Sequence, residues 1–271
     1  MPRRLHMFVA TLGGTFLVTG TLLGAVAPVA AASGTTSGTA TSGTATTAAA
    51  ATTTTPTGPC ATEWAAYKAS ESVTNGIALG DCMIGQRLTF LSKASTRVQD
   101  SKVLTSGDRA ALATILSNDT SGLTSLKATL DAASTLPAVQ ADLHAIVSQY
   151  RVFHLAARQV ALVSGADAVS TAVTHDAAVK TRLEARISAA AAKGRKTSAA
   201  SAELAAMDRA VGRAASDVSG LSARVLALTP AEYDAGSARP VLTHAATAVL
   251  QARAQLLDAR ADALRVQIRL R

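Results

Sequence analysis

Apolar residues along this chain recur at alternating steps of three and four, the spacing that places side chains on one face of an α-helix. No stretch alternates apolar and polar residues at a period of two for long enough to indicate a strand. Alanine, the strongest intrinsic helix former, is abundant after residue 60, and prolines are few. The pattern therefore predicts an all-α fold, an antiparallel helical bundle over residues 60–271.

Caps and breaks divide this region into predicted helices. A short helix carries Trp64 and Tyr67 on one face and ends near Gly76. Thr105 and Asp108 form a Thr-x-x-Asp cap that opens another helix. The longer predicted helices cover residues 82–102, 105–134, 137–192, 197–228 and 240–271. Gly165 could interrupt the third of these.

Apolar seams of different width distinguish these helices. Narrow, alanine-rich seams on either side of Lys193–Lys196 predict a long coiled-coil-like hairpin over residues 165–228 that protrudes from the bundle. One continuous stripe runs from Val139 to Val160. The apolar face widens between Val152 and Val163 and again in the last helix, so these two segments are expected to form the bundle core. One elongated multi-helix bundle is the alternative. The second stripe of the last helix comprises Leu250, Ala254, Leu257, Ala261, Leu264 and Ile268.

The first 59 residues have a different composition. Arg3 and Arg4 precede a long uncharged apolar stretch that ends in small residues at 30–32, as in a signal peptide. We interpret residues 1–32 as that signal, with an uncleaved membrane anchor as the alternative, since about 20 apolar residues can span a bilayer. Residues 33–59 are almost entirely Thr, Ala, Gly and Ser, which predicts a disordered linker, either a flexible spacer or an O-glycosylated stalk. The mature protein is expected to be secreted, free or cell-wall associated, with no stable membrane span after cleavage.

The chain has two cysteines, Cys60 and Cys82, both near the start of the predicted bundle. In an oxidising compartment a lone pair this close in sequence predicts one disulfide. A metal site is the alternative, but two cysteines without a nearby histidine cannot complete a tetrahedral shell. We therefore expect a disulfide and no metal.

Sequence motifs for catalysis are missing. The chain has no Gly-x-Ser-x-Gly, His-Glu-x-x-His, Walker-type or dinucleotide-binding glycine motif. The histidines after the predicted signal do not share a helix at the i, i+4 spacing of a helical metal site. We therefore expect a non-enzymatic protein with no catalytic residues and no cofactor. These histidines are His144, His154, His175 and His244.

Basic residues are concentrated in the second half of a chain whose formal net charge is +8. Residues 60–150 hold seven basic and eight acidic side chains, whereas residues 151–271 hold seventeen basic and ten acidic. Two groups could bind anions: one shares a helix face at steps of three and four, and the other lies at the hairpin turn. A solvated cationic surface is the alternative. The two groups are Arg151, His154 and Arg158, and Lys193, Arg195 and Lys196.

These observations favour a secreted helical protein with a binding or structural role at the cell envelope. Its expected partners are anionic wall polymers or another envelope protein. Nucleic acid is not expected, because export removes that partner and no aromatic residues interleave with the basic ones. The alternative is a bundle that binds a small ligand between helices near Tyr150, Phe153 and His154.

The segment Ile146–Phe153, which follows Leu136–Asp142, resembles a group of secreted alanine-rich helical proteins of actinobacteria. Their pattern is also similar at Gly122–Lys127 and at Leu228–Pro230, so that the resemblance extends over residues 82–271. The resemblance implies a secreted helical protein. It implies no established activity and no site residues.

Overall fold

The computed structural model describes residues 58–271, and within this range the chain is helical and has no strand. The predicted all-α fold is thereby confirmed. The predicted signal peptide and all but Gly58 and Pro59 of the predicted linker lie outside the described residues. The helices are α1 (Ala61–Ala69), α2 (Val73–Asp100), α3 (Ser106–Asp131), α4 (Leu136–Ser148), α5 (Ala157–Ala192), α6 (Ser198–Val218), α7 (Leu221–Leu226), α8 (Pro230–Asp234) and α9 (Ala238–Arg269), with a π-helical turn at Val152–Ala156.

Polar side chains fix where several helices begin. Thr105 caps α3 as predicted, because its hydroxyl accepts a hydrogen bond from the Asp108 amide at 3.1 Å. The Thr105 amide in turn donates to the Asp167 carboxylate of α5 at 2.7 Å. Thr229 and Glu232 form a capping box that starts α8 inside a predicted loop. Local capping and one long-range bond thus set the start of α3 and its position against α5.

A disulfide joins the start of α1 to α2. The Cys60 and Cys82 sulfurs lie 2.11 Å apart, as the sequence predicts. Tyr67 of α1 is buried, but Trp64 is 54% exposed. The two aromatics lie on one helix as predicted, but only Tyr67 packs, because α1 packs against α2 and buries a narrow line of side chains.

Helix α2 begins nine residues earlier than predicted and runs through Gly76, which is therefore no helix end. A Cβ atom at Gly76 would overlap the Val139 side chain of α4, and one at Gly80 would overlap Leu130 of α3. These two glycines, one helical turn apart, let α3 and α4 approach the backbone of α2 closely. Glycine is needed at these two positions because neighbouring helices pack there, and not because the chain turns.

The stripe predicted to run unbroken from Val139 to Val160 is wrong. Helix α4 ends at Ser148, and the chain turns before the π-helical segment leads into α5. The Tyr150 ring at this turn packs directly on Gly122 of α3. Val152 and Leu155 of the π turn are buried, so the extra residue of that turn realigns the apolar face at the start of α5.

Helices α5 and α6 form the predicted long antiparallel hairpin, and α5 continues through Gly165 without interruption. The turn contains Gly194 at φ +74°, in the left-handed region that favours glycine. The return helix stops at Val218, ten residues before the predicted end, where Gly220 at φ +63° reverses the chain into α7. Because α9 packs along both α5 and α6, the hairpin belongs to a three-helix assembly.

Two apolar clusters stabilise the described chain. The first joins α2, α3 and α4 to the beginnings of α5 and α9. The second lies in the arm, which we define as residues 173–218 with residues 256–271 of α9, and includes Leu183, Met207 and Val266. Helix α9 packs against more than one neighbour, as predicted, but its second stripe joins neither cluster within residues 58–271. Its large members are Leu250, Leu257, Leu264 and Ile268, which are 60–65% exposed.

Candidate functional site

The first predicted anion-binding group is dispersed by the turn before α5. Arg151 precedes the π-helical segment, so it does not share a helix face with Arg158 as predicted. Its guanidinium forms an ion pair with Asp234 and lies 5.7 Å from the centroid of the Tyr233 ring. The His154 ring stacks on the same Tyr233 ring, with the two ring centroids 6.0 Å apart. Arg151 and His154 therefore attach α8 to the start of α5, and Arg158 is exposed without an ion pair within the described residues.

The second predicted group stays together at the hairpin turn. Lys193, Arg195 and Lys196 are all exposed. The Arg195 guanidinium donates a hydrogen bond to the Leu270 carbonyl at 2.7 Å, where α9 ends. A cation at the carbonyl end of a helix also complements the helix dipole. Arg195 thus connects the hairpin turn to the C-terminus of α9.

This connection brings two further arginines beside the hairpin turn. Arg269 and Arg271 end the chain and are exposed. We name Lys193, Arg195, Lys196, Arg269 and Arg271 the basic end. The acidic side chain that the described ion pairs place nearest to it is Glu203, whose carboxylate lies 4.0 Å from the Arg269 guanidinium. Arg269 is the one member of the basic end that forms an ion pair within the described residues, so the group gives this end of the arm a positive potential.

The aromatic residues predicted to surround a ligand do not converge. Phe153 packs edge-on against Phe90 at 5.6 Å, Tyr150 packs on α3, and His154 packs on α8. A cavity of about 260 Å³ lies instead between α3, the start of α5 and the turn after α7. Asn118, Asp119 and Gln159 contribute polar groups to its wall. Phe153 and Phe90 line a separate open groove of about 740 Å³ beside α2. The three predicted residues therefore do not share one site within the described chain.

Asp119 in this cavity gives the folded chain a specific pH dependence. Burial raises the pKa of its carboxyl to about 6, against about 3.9 in an unfolded chain. The folded state therefore holds a proton that the unfolded state has lost, and the stability this provides disappears as the pH rises from 4 through 6. Because the side chain is partly exposed, solvent screening reduces the cost at neutral pH to about 1–2 kcal/mol.

We expect Asp119→Asn to raise the free energy of unfolding by about 1–2 kcal/mol at pH 7.5, because it removes the buried charge. At pH 4 the substitution should change stability by less than about 0.5 kcal/mol, since the carboxyl of the folded chain is already protonated. Urea unfolding of both proteins at the two pH values measures this. An equal gain at both pH values would show that burial of the charge is not the cause.

The described residues include no metal-binding cluster and no spanning helix. In residues 58–271 no three His, Cys, Asp or Glu side chains come close enough to hold a metal ion. No helix in the same range is both long and apolar enough to cross a bilayer.

Comparison of the chain with protein-family models, with curated proteins and with solved structures finds no match.

Proposed function

We propose that this chain is a secreted, non-enzymatic helical protein that binds anionic polymers of the cell envelope through the basic end. The observation that carries the proposal is the convergence of the hairpin turn and the end of α9, which brings together five basic residues of which only Arg269 has an ion-pair partner among the described residues. The export pattern of residues 1–32 and the Cys60–Cys82 disulfide support a location outside the cytoplasm.

The chemistry of the basic end suits a flexible polyanion. Lys193 and Lys196 are exposed and form no ion pair within the described chain, so their ammonium groups are available as point charges. Such contacts need no fixed geometry and weaken as salt screens them over about 8 Å at physiological ionic strength. We therefore expect binding that depends on salt and on the charge density of the polymer.

Retention on purified cell walls of the native host tests this proposal. Replacing Lys193 and Lys196 by glutamine should weaken retention about 30-fold at low salt, because each basic side chain near an anionic surface contributes about 1 kcal/mol. Retention of the unaltered protein should fall as salt rises. Arg195 is left in place, because its loss would also release the end of α9.

The matched control replaces Lys93 and Lys102 by glutamine, which removes the same charge from exposed sites outside the arm. This control should retain nearly full binding, and walls stripped of phosphate-linked polymers should bind little of any variant. Equal losses in both double variants would show that overall charge, and not the basic end, governs retention. Unchanged retention in the Lys193 and Lys196 variant would overturn the proposal.

A further inference from the structure

The outer face of α9 carries a row of exposed apolar side chains. Leu250, Leu257 and Leu264 repeat every seven residues, and Ile268 continues the line. Each is 60–65% exposed. The row covers 19 residues, or roughly 27 Å of helix. Single exposed apolar residues are ordinary on protein surfaces, but a continuous row is typical of a surface that binds something. We name these four residues the leucine row.

The leucine row is not an unfilled part of the bundle core. The opposite face of α9 is buried against α5 and α6, with Ala252, Leu256 and Ala259 almost wholly inaccessible. Helix α9 therefore has its protein neighbours already, and the leucine row lies on the side away from them. An occupant of this row must come from outside the described chain.

Arginines border the leucine row on both sides. On the α5 side, Arg253 and Arg260 line an apolar groove of about 310 Å³ together with Leu257 and two alanines of α5. The acidic group nearest to the Arg260 Nε is a buried oxygen of Asp176 at 3.9 Å. The lining of this groove is apolar between the two guanidinium groups of Arg253 and Arg260.

The α6 side has the same character. Arg209, Arg213 and Arg265 line a groove of about 320 Å³ between α6 and α9, together with Asp258 and Asp262. Asp262 is largely buried and pairs with Arg265. Arg209 and Arg213 form no ion pair within the described residues. Glu203 also pairs with Arg265, at 3.7 Å. The two borders together therefore hold five arginines and four carboxylates, one of which, Asp176, is almost wholly buried.

An occupant must therefore be both apolar and anionic. Wall polymers of the proposed function are anionic but offer no hydrocarbon for the leucines. A second copy of this chain offers hydrocarbon but the wrong charge. Antiparallel pairing over the whole row would put Arg260 beside Arg260 of the other copy, and parallel pairing would put it beside Arg265.

We infer that the outer face of α9 docks on the surface of an anionic lipid bilayer, with the leucine row in the interfacial region and the bordering arginines on lipid phosphates. This inference rests on the envelope location of the proposed function but uses a different surface from the basic end. The helix lies in the plane of the interface and does not cross it, as basic amphipathic helices do. Guanidinium groups suit this role because they bind phosphate in a bidentate geometry.

Sedimentation with lipid vesicles tests the inference, using the secreted chain purified from culture medium after its N-terminus has been sequenced. The protein should bind vesicles of 30% phosphatidylglycerol in phosphatidylcholine and should bind pure phosphatidylcholine at least tenfold more weakly. Replacing Leu250, Leu257 and Leu264 by serine should weaken binding about 20-fold. Replacing Arg253 and Arg260 by glutamine should weaken it about tenfold, since each arginine contributes about a fivefold factor or less.

Two control variants test whether vesicle binding depends on this face of α9 or on exposed apolar and basic side chains anywhere on the protein. Val103→Ser with Val147→Ser removes exposed apolar side chains elsewhere, and Lys93→Gln with Lys102→Gln removes two charges elsewhere. Both should bind vesicles like the unaltered protein. The Lys193 and Lys196 variant should also keep vesicle binding while losing wall retention, so the two proposals can fail separately.

Three results would overturn the inference. The first is equal binding to neutral and anionic vesicles, and the second is no loss of binding in the leucine variant. The third is a dimer by analytical ultracentrifugation that the leucine substitutions dissociate, with no vesicle binding, which would identify a second copy as the occupant. Circular dichroism should give the same helix content for every variant, because all the substituted side chains are exposed.

Discussion

Replacing Gly80 by valine is expected to lower the free energy of unfolding by about 3 kcal/mol. A Cβ atom at this position would overlap the Leu130 side chain and come within 3.2 Å of Leu143 Cδ2 and 3.5 Å of Ile146 Cδ1. Leu130 and Ile146 are fully buried, so neither side chain has free volume into which it could move. The two methyl groups of valine would then force α3 or α4 away from α2. Urea unfolding followed by circular dichroism measures the loss.

Gly85 on the same helix provides a control with the opposite sign. A Cβ atom there has no neighbour within 4 Å. Gly85→Ala should therefore raise the free energy of unfolding by about 0.5–1 kcal/mol, because alanine loses less backbone entropy in a helix than glycine. If Gly80→Val and Gly85→Ala both stabilised the protein, helix propensity would outweigh packing at α2. The close approach of α3 and α4 to Gly80 would then not contribute to stability.

These glycines show where the sequence gives the wrong helix boundary. Gly76 follows Asn75, and that pair is a common helix end, so the pattern alone predicts a stop there. The side chains of Val139 and Tyr67 that surround Gly76 are distant in sequence, so no local rule reveals them. Glycine in a packed helix and glycine in a turn differ only in their neighbours. The caps at Thr105 and the turn at Gly194 were predictable because their causes are local.

In the candidate surfaces, too, features with local causes were predictable from the sequence, and contacts between distant residues were not. The hairpin turn and its three basic residues follow from composition and periodicity. The hydrogen bond from Arg195 to the end of α9, and the ion pair of Arg151 with Asp234, join residues more than 70 positions apart. Periodicity also identified the leucine row as a shared face. It could not show that the face is uncovered, because a helical period specifies which residues align and not what packs on them.

Replacing Gln159 by leucine is expected to cost about 2 kcal/mol of unfolding free energy, because it leaves the buried Leu228 carbonyl without its donor and removes one of the two donors to the Val225 carbonyl. The Gln159 side-chain amide donates to the carbonyls of Val225 and Leu228, each at 3.0 Å. Only 2% of the residue is exposed. These bonds connect the start of α5 to α7 and to the turn between α7 and α8. The conformation of that turn is not specified by the local sequence alone.

Leucine has nearly the volume of glutamine, so this substitution removes the hydrogen bonds without opening a large cavity. Gln99→Leu, on the exposed surface of α2, is the matched control and should change stability by less than about 0.5 kcal/mol. Hydrogen exchange should also show faster exchange for amides of residues 221–234 in the Gln159 variant, while α2 and α3 keep their protection. A loss below about 1 kcal/mol with unchanged exchange would mean that water from the adjoining cavity satisfies both carbonyls. The expected loss of unfolding free energy would instead show that the hydrogen bonds of Gln159 keep α7 and α8 packed against α5. Asp234 and Tyr233 are then held in place by the same bonds.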